Sequence, residues 1–65
     1  MADLEVFDVV ELIVVHGRFD AGTTASVLER PRDGGVVVEL LDRGGYTIDV
    51  ATLPIDKVKL VKRPG

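Results

Sequence analysis

Short aliphatic runs rich in valine, each cut by glycine, proline or aspartate before it grows into a stable helix, constrain this chain more than any other feature. β-Branched residues lose rotamer freedom in a helix and pack well on a pleated surface, so the runs read as strands and the breaks as turns. The first run spans Phe7 to Val15, interrupted by Asp8 and Glu11. A helix competes for it, since Val6, Val9, Val10 and Ile13 fit helical spacing. The β-branched Val9, Val10, Val14 and Val15 decide for strand. A loop with a glycine near each end, His16 to Gly22, leads to a second strand over Thr23 to Arg30. Pro31-Arg32-Asp33-Gly34-Gly35 turns the chain into a third, Val36 to Leu41. Asp42-Arg43-Gly44-Gly45 then supplies residues that tolerate positive φ, as tight hairpins require. Tyr46 to Leu53 is the fourth strand, Pro54-Ile55-Asp56 a short turn with one 3-10 turn, and Lys57 to Lys62 the fifth, before a frayed Arg63-Pro64-Gly65.

With 65 residues there is room for one domain, 1–65, with an ordered core over about 7–62. Period-two alternation assigns the inward face: Val10 and Leu12, then Val36, Val38 and Leu40, then Val58 and Leu60, joined by Val27 and Ile48. Short strands linked by tight hairpins relieve their exposed edges best by curling up, so the expected fold is all-β, a single five-stranded SH3-like small barrel.

Composition removes several classes of function. Cysteine is absent, so neither disulfides nor thiolate metal ligands reinforce the fold. No stretch approaches the ~20 apolar residues of a membrane helix, and the acidic start, Met1 to Glu5, is unlike a secretory signal. The expectation is a soluble cytoplasmic protein. His16 is the sole histidine and sits in a loop with no nameable triad partner, so no catalytic residue is assigned. Thr23, Thr24, Ser26, Thr47 and Thr52 fall on strands, and none sits in a nucleophile elbow. Glu39, Asp42, Asp49 and Asp56 are spread over strands and turns rather than spaced as a calcium loop, so no metal is assigned. The glycines open no helix and cradle no phosphate, so no cofactor is assigned. The reading is non-enzymatic.

The order Asp8-Val9-Val10-Glu11-Leu12, His16-Gly17, Ala21-Gly22-Thr23, Val38-Glu39-Leu40-Leu41-Asp42 and Thr52-Leu53-Pro54 resembles the small bacterial family DUF4926 over about residues 7–60. The motifs are short, and their order and spacing carry the likeness. The chain departs from the pattern at Ala25, where a glycine is common. The resemblance implies an SH3-like barrel and no assigned activity, with an accessory, antitoxin or immunity-type partner role conceivable for a bacterial protein of this kind.

Two strands are apolar on both faces, Val9 to Val15 and Val36 to Leu41. One barrel has one interior, so Val9, Ile13, Val37 and Leu41 should face outward as an apolar surface for another protein or for a second copy in a homodimer. The alternative is a nucleic-acid-binding barrel that uses Lys57, Lys59, Lys62 and Arg63. Three features weigh against it: the net charge of −3, the few aromatics, and an acidic stretch (Asp3, Glu5, Asp8, Glu11) expected to face those lysines across adjacent first and last strands.

Overall fold

A computed structural model describes residues 4–64; Asp3 of the acidic stretch lies outside them. Five antiparallel strands form one sheet: β1 (Val9–Leu12), β2 (Thr24–Glu29), β3 (Gly35–Leu41), β4 (Thr47–Pro54) and β5 (Val58–Lys62). Their spatial order is β4-β3-β2-β1-β5, so three successive hairpins are followed by a return of the last strand to the first. That is the expected SH3-like barrel.

The sheet curls around one aliphatic core. Val10, Ala25, Val27, Val36, Val38 and Leu40 are wholly buried, with Leu12, Leu53, Val58, Phe19 and Leu4 nearly so. Cross-strand pairs carry this face through the sheet, Val10 opposite Ala25 and Ala25 opposite Leu40, with Val36 opposite Leu53. Pro54 extends β4 (φ −59°, ψ 141°) and delays the 3-10 turn to Ile55–Lys57, one residue later than the sequence suggests.

The first strand is shorter than the run from Phe7 to Val15. Phe7 takes a left-handed turn (φ 75°) and Ile13 donates its N–H to the Lys57 carbonyl at 2.8 Å before the chain leaves the sheet. Ile13, Val14 and Val15 are therefore exposed.

Two residues assigned to the core are on the surface: Ile48 is 43% and Leu60 37% exposed. Local irregularities account for both. The β3–β4 register runs Leu40↔Asp49 and then Leu41↔Thr47, so Ile48 is the extra residue of a bulge. In β5 the register jumps from Leu60 opposite Val10 to Lys62 opposite Val9, with Val61 the extra residue. Leu60 thus lies beside a bulge on an edge strand, where no further strand covers it. A third bulge leaves Leu28 unpaired in β2. A bulge inserts one residue and breaks the period of two, and here each extra residue is an exposed aliphatic.

β4 is the other edge. Residues of an edge strand direct their N–H groups alternately toward the neighbour and away from it. The Val50 N–H is taken by the Asp49 carboxylate at 2.8 Å, and Pro54, in the same phase, has none. The edge is blunted at both places against pairing with another chain.

Candidate functional site

Val9, Val37 and Leu41 lie on the outer face and are half-buried, while Ile13 lies past the end of β1 and is exposed. β2 separates Val9 from the other two by two strand spacings, about 9–10 Å. The row through Val9 continues as Ser26, Glu39 and Val50, and the next as Glu11 and Thr24. Thr47 bonds Glu39 Oε2 through its hydroxyl at 2.9 Å. Polar side chains therefore thread the outer face, and the four residues do not merge into one apolar surface.

The basic C-terminal strand meets the acidic N-terminal segment, as the adjacency of β1 and β5 requires. Lys59 Nζ lies 3.7 Å from Glu11 Oε1. Arg63 donates from Nε and Nη2 to the two oxygens of Asp8, at 3.0 and 2.9 Å, and its Nε lies 3.6 Å from Glu5 Oε2. Asp8 is the one buried charged side chain among the described residues. Its carboxylate also accepts the Glu5 N–H at 2.8 Å. The Arg63 hydrogen bonds hold its pKa below the ordinary value of 3.8; desolvation opposes them, and the Glu5 N–H and the Arg63 charge reinforce them. The arrangement is a clamp between the segment before β1 and the segment after β5.

His16 is exposed, and its main chain forms a two-way bridge with Phe19. Among the described residues, no three of His, Asp or Glu gather closely enough to hold a metal ion. No helix among the described residues is long and apolar enough to cross a membrane.

No family model, curated protein or solved structure matches this chain.

Sequence reasoning missed Phe7. It is the one described non-glycine residue with a positive φ, at 75°, and it is 68% exposed. Its N–H donates to the Val27 carbonyl at 2.8 Å, and Asp8 N–H closes the turn on the Glu5 carbonyl at 3.1 Å. Phe7 thus sits beside Val27, whose successor Leu28 is a bulge residue, and at the end of β1 that faces Val61 across β5. Val6, Phe7, Leu28 and Val61 are all exposed apolar residues. No glycine or asparagine marks this turn, so Phe7 reads in the sequence as the start of the first strand rather than as a turn.

Proposed function

We propose that this chain is a non-enzymatic protein-interaction module whose partner is another protein or a second copy, and that Phe7 anchors the contact. One observation carries the reading: an aromatic residue held in a left-handed conformation and exposed over two thirds of its surface. That conformation costs a non-glycine residue roughly 1–2 kcal/mol, and an exposed ring returns little of it to the fold. Residues held against local preference concentrate at functional positions, and aromatics dominate the energetics of protein contacts. Val6, Leu28 and Val61 are exposed aliphatics near the same end of β1. The resemblance to DUF4926 accords with this reading and would make the role an accessory or antitoxin-type one.

The nucleic-acid alternative is weaker. Lys59 is ion-paired and Arg63 is engaged by Asp8 and Glu5, which leaves Lys57 and Lys62 as the members of that C-terminal cluster without an ion pair among the described residues.

Phe7→Gly tests the proposal, because glycine adopts positive φ freely. The variant should unfold at an equal or higher denaturant concentration yet lose proteins that the parent retains from nuclease-treated host lysate, or lose concentration-dependent dimerisation. Unchanged retention and unchanged association would refute the role of Phe7. Retention that disappears on nuclease treatment, and weakens with Lys57→Glu, would favour nucleic acid.

A further inference from the structure

Phe7 stands at the third position of a β-turn closed by the Asp8 N–H on the Glu5 carbonyl, at 3.1 Å. A positive φ at that position is ordinarily met by glycine or asparagine, so the residue is held there by groups from elsewhere in the chain. The Val27 carbonyl takes the Phe7 N–H at 2.8 Å. Before the turn, Leu4 is buried in the core and its carbonyl accepts Arg30 Nη1 at 2.7 Å. After it, Arg63 grips the two oxygens of Asp8 at 3.0 and 2.9 Å.

The Asp8 carboxylate closes the turn a second time, because its Oδ2 accepts the Glu5 N–H at 2.8 Å. The same oxygen receives Arg63 Nη2. The turn and the segment after β5 are thus joined at one atom.

The bulge in β5 decides which cation arrives there. The ladder runs from Leu12↔Val58 to Val10↔Leu60, and continued without interruption it would set Lys62 opposite Asp8. The extra residue, Val61, moves the register to Val9↔Lys62, so the place opposite Asp8 falls to Arg63. The difference is chemical. A lysine ammonium is a point charge, whereas a guanidinium is a planar fork that matches both oxygens of a carboxylate and fixes its orientation. Orientation is what the bond from the Glu5 N–H requires.

Asp8 is 1% exposed. Without Arg63 its charge would be buried and unpaired, a costly state that is relieved by turning the carboxylate out to water. That movement breaks the Glu5 bond and acts on the residue next to Phe7, freeing it to return to the negative φ that phenylalanine prefers. The closed turn is one of two arrangements, and Arg63 selects it.

We propose that Arg63 is a positioning residue for Phe7: by holding Asp8 it keeps the Glu5–Asp8 turn closed, so the contact made by Phe7 is available only while the end of β5 is docked beside β1. This rests on the reading of Phe7 as the anchor of a protein contact for its consequence, but not for its geometry.

The test is NMR on the full chain, reading the intraresidue HN–Hα NOE of Phe7, which is intense when φ is positive and weak when it is negative. Arg63→Gln should reduce this NOE and move the Glu5 amide resonance, while the amides of Val36, Val38 and Leu40 stay in place as proof of folding. Arg63→Lys keeps a charge beside Asp8 and should fold even where Arg63→Gln does not, with a smaller loss of the NOE. Lys59→Gln breaks the ion pair of β5 with Glu11 on β1 and should leave the NOE as in the parent. If the turn is closed in only about one molecule in ten, the apparent affinity of the Phe7 contact should fall about tenfold, read in the retention of proteins from nuclease-treated host lysate or in dimer dissociation. An undiminished NOE in Arg63→Gln, or in Arg63→Lys should Arg63→Gln not fold, would overturn the proposal, as would an equal loss in Lys59→Gln. Should Phe7→Gly leave retention and association unchanged, the contact fails, while the NOE still decides whether Arg63 positions the residue.

Discussion

Leu40 and Leu60 occupy equivalent points of an alternating pattern, yet their truncation to alanine should affect the fold unequally. Leu40 is wholly buried between Ala25 on β2 and the β4 backbone. Truncating such a leucine removes its transfer free energy and leaves a cavity, together about 2–5 kcal/mol. Leu60 is 37% exposed on an edge strand beside a bulge. Part of its side chain already meets water, and an edge site can relax around a smaller residue, so its loss should cost roughly 1 kcal/mol. A domain of this length has a total stability of roughly 3–10 kcal/mol. Leu40→Ala should therefore remove a large share of it, and Leu60→Ala a small one. Urea unfolding at constant m-value reads the difference as a midpoint shift. With m near 1 kcal/mol/M for a small domain, the two midpoints should differ by about 1 M or more. Equal midpoints, or Leu60→Ala the lower, would refute the bulge-based account of the exposed face.

Acid should act through Asp8. Its folded pKa is depressed, so the stability it contributes is present above the unfolded value and is lost as pH falls through the folded one. Asp8→Asn should be less stable than the parent at neutral pH and lose less between pH 5 and pH 2; parallel midpoint-versus-pH curves would contradict the clamp. At the β4 edge, Asp49→Ala frees the Val50 N–H and removes a charge. Sedimentation should then detect concentration-dependent self-association that Asp49→Asn, which keeps an acceptor, does not show. A monomeric Asp49→Ala at high concentration would argue that the carboxylate plays no protective part.

The strands were legible because their punctuation is chemical. Gly34, Gly45 and Gly22 take positive φ where the chain turns, and the buried set Val10, Leu12, Val36, Val38 and Leu40 follows strict alternation. The adjacency of first and last strands was expected from the barrel itself, and the ion pairing from the acidic and basic residues those two strands carry. What escaped were the places where alternation slips. Leu28, Ile48 and Val61 are aliphatic like their buried neighbours, and no local residue preference announces an extra residue in a ladder whose partner lies on another strand. Phe7 escaped for a related reason: its turn is imposed by tertiary bonds to Val27 and by the clamp on Asp8, against the preference of phenylalanine itself. The outer face was overestimated because the cross-strand neighbours that interrupt it, Ser26 and Glu39, become neighbours only once the register is known.

The clamp between Asp8 and Arg63 joins residues 55 positions apart, which orders events while the chain is being made. Synthesis delivers β1 first and β5 last, so β2, β3 and β4 can pair in sequence while one side of β1 still has no strand beside it. Over that interval the vulnerable edge is β1, whose Val9 and Val10 stand open until Val58–Lys62 arrive. In the finished barrel the exposed edge strands are β4 and β5. Closure thus moves one liability to mispairing from β1 to β5 while β4 stays an edge throughout, and among the described residues it is β4, with Asp49 beside Val50, whose edge donor is stopped by a side chain of its own strand.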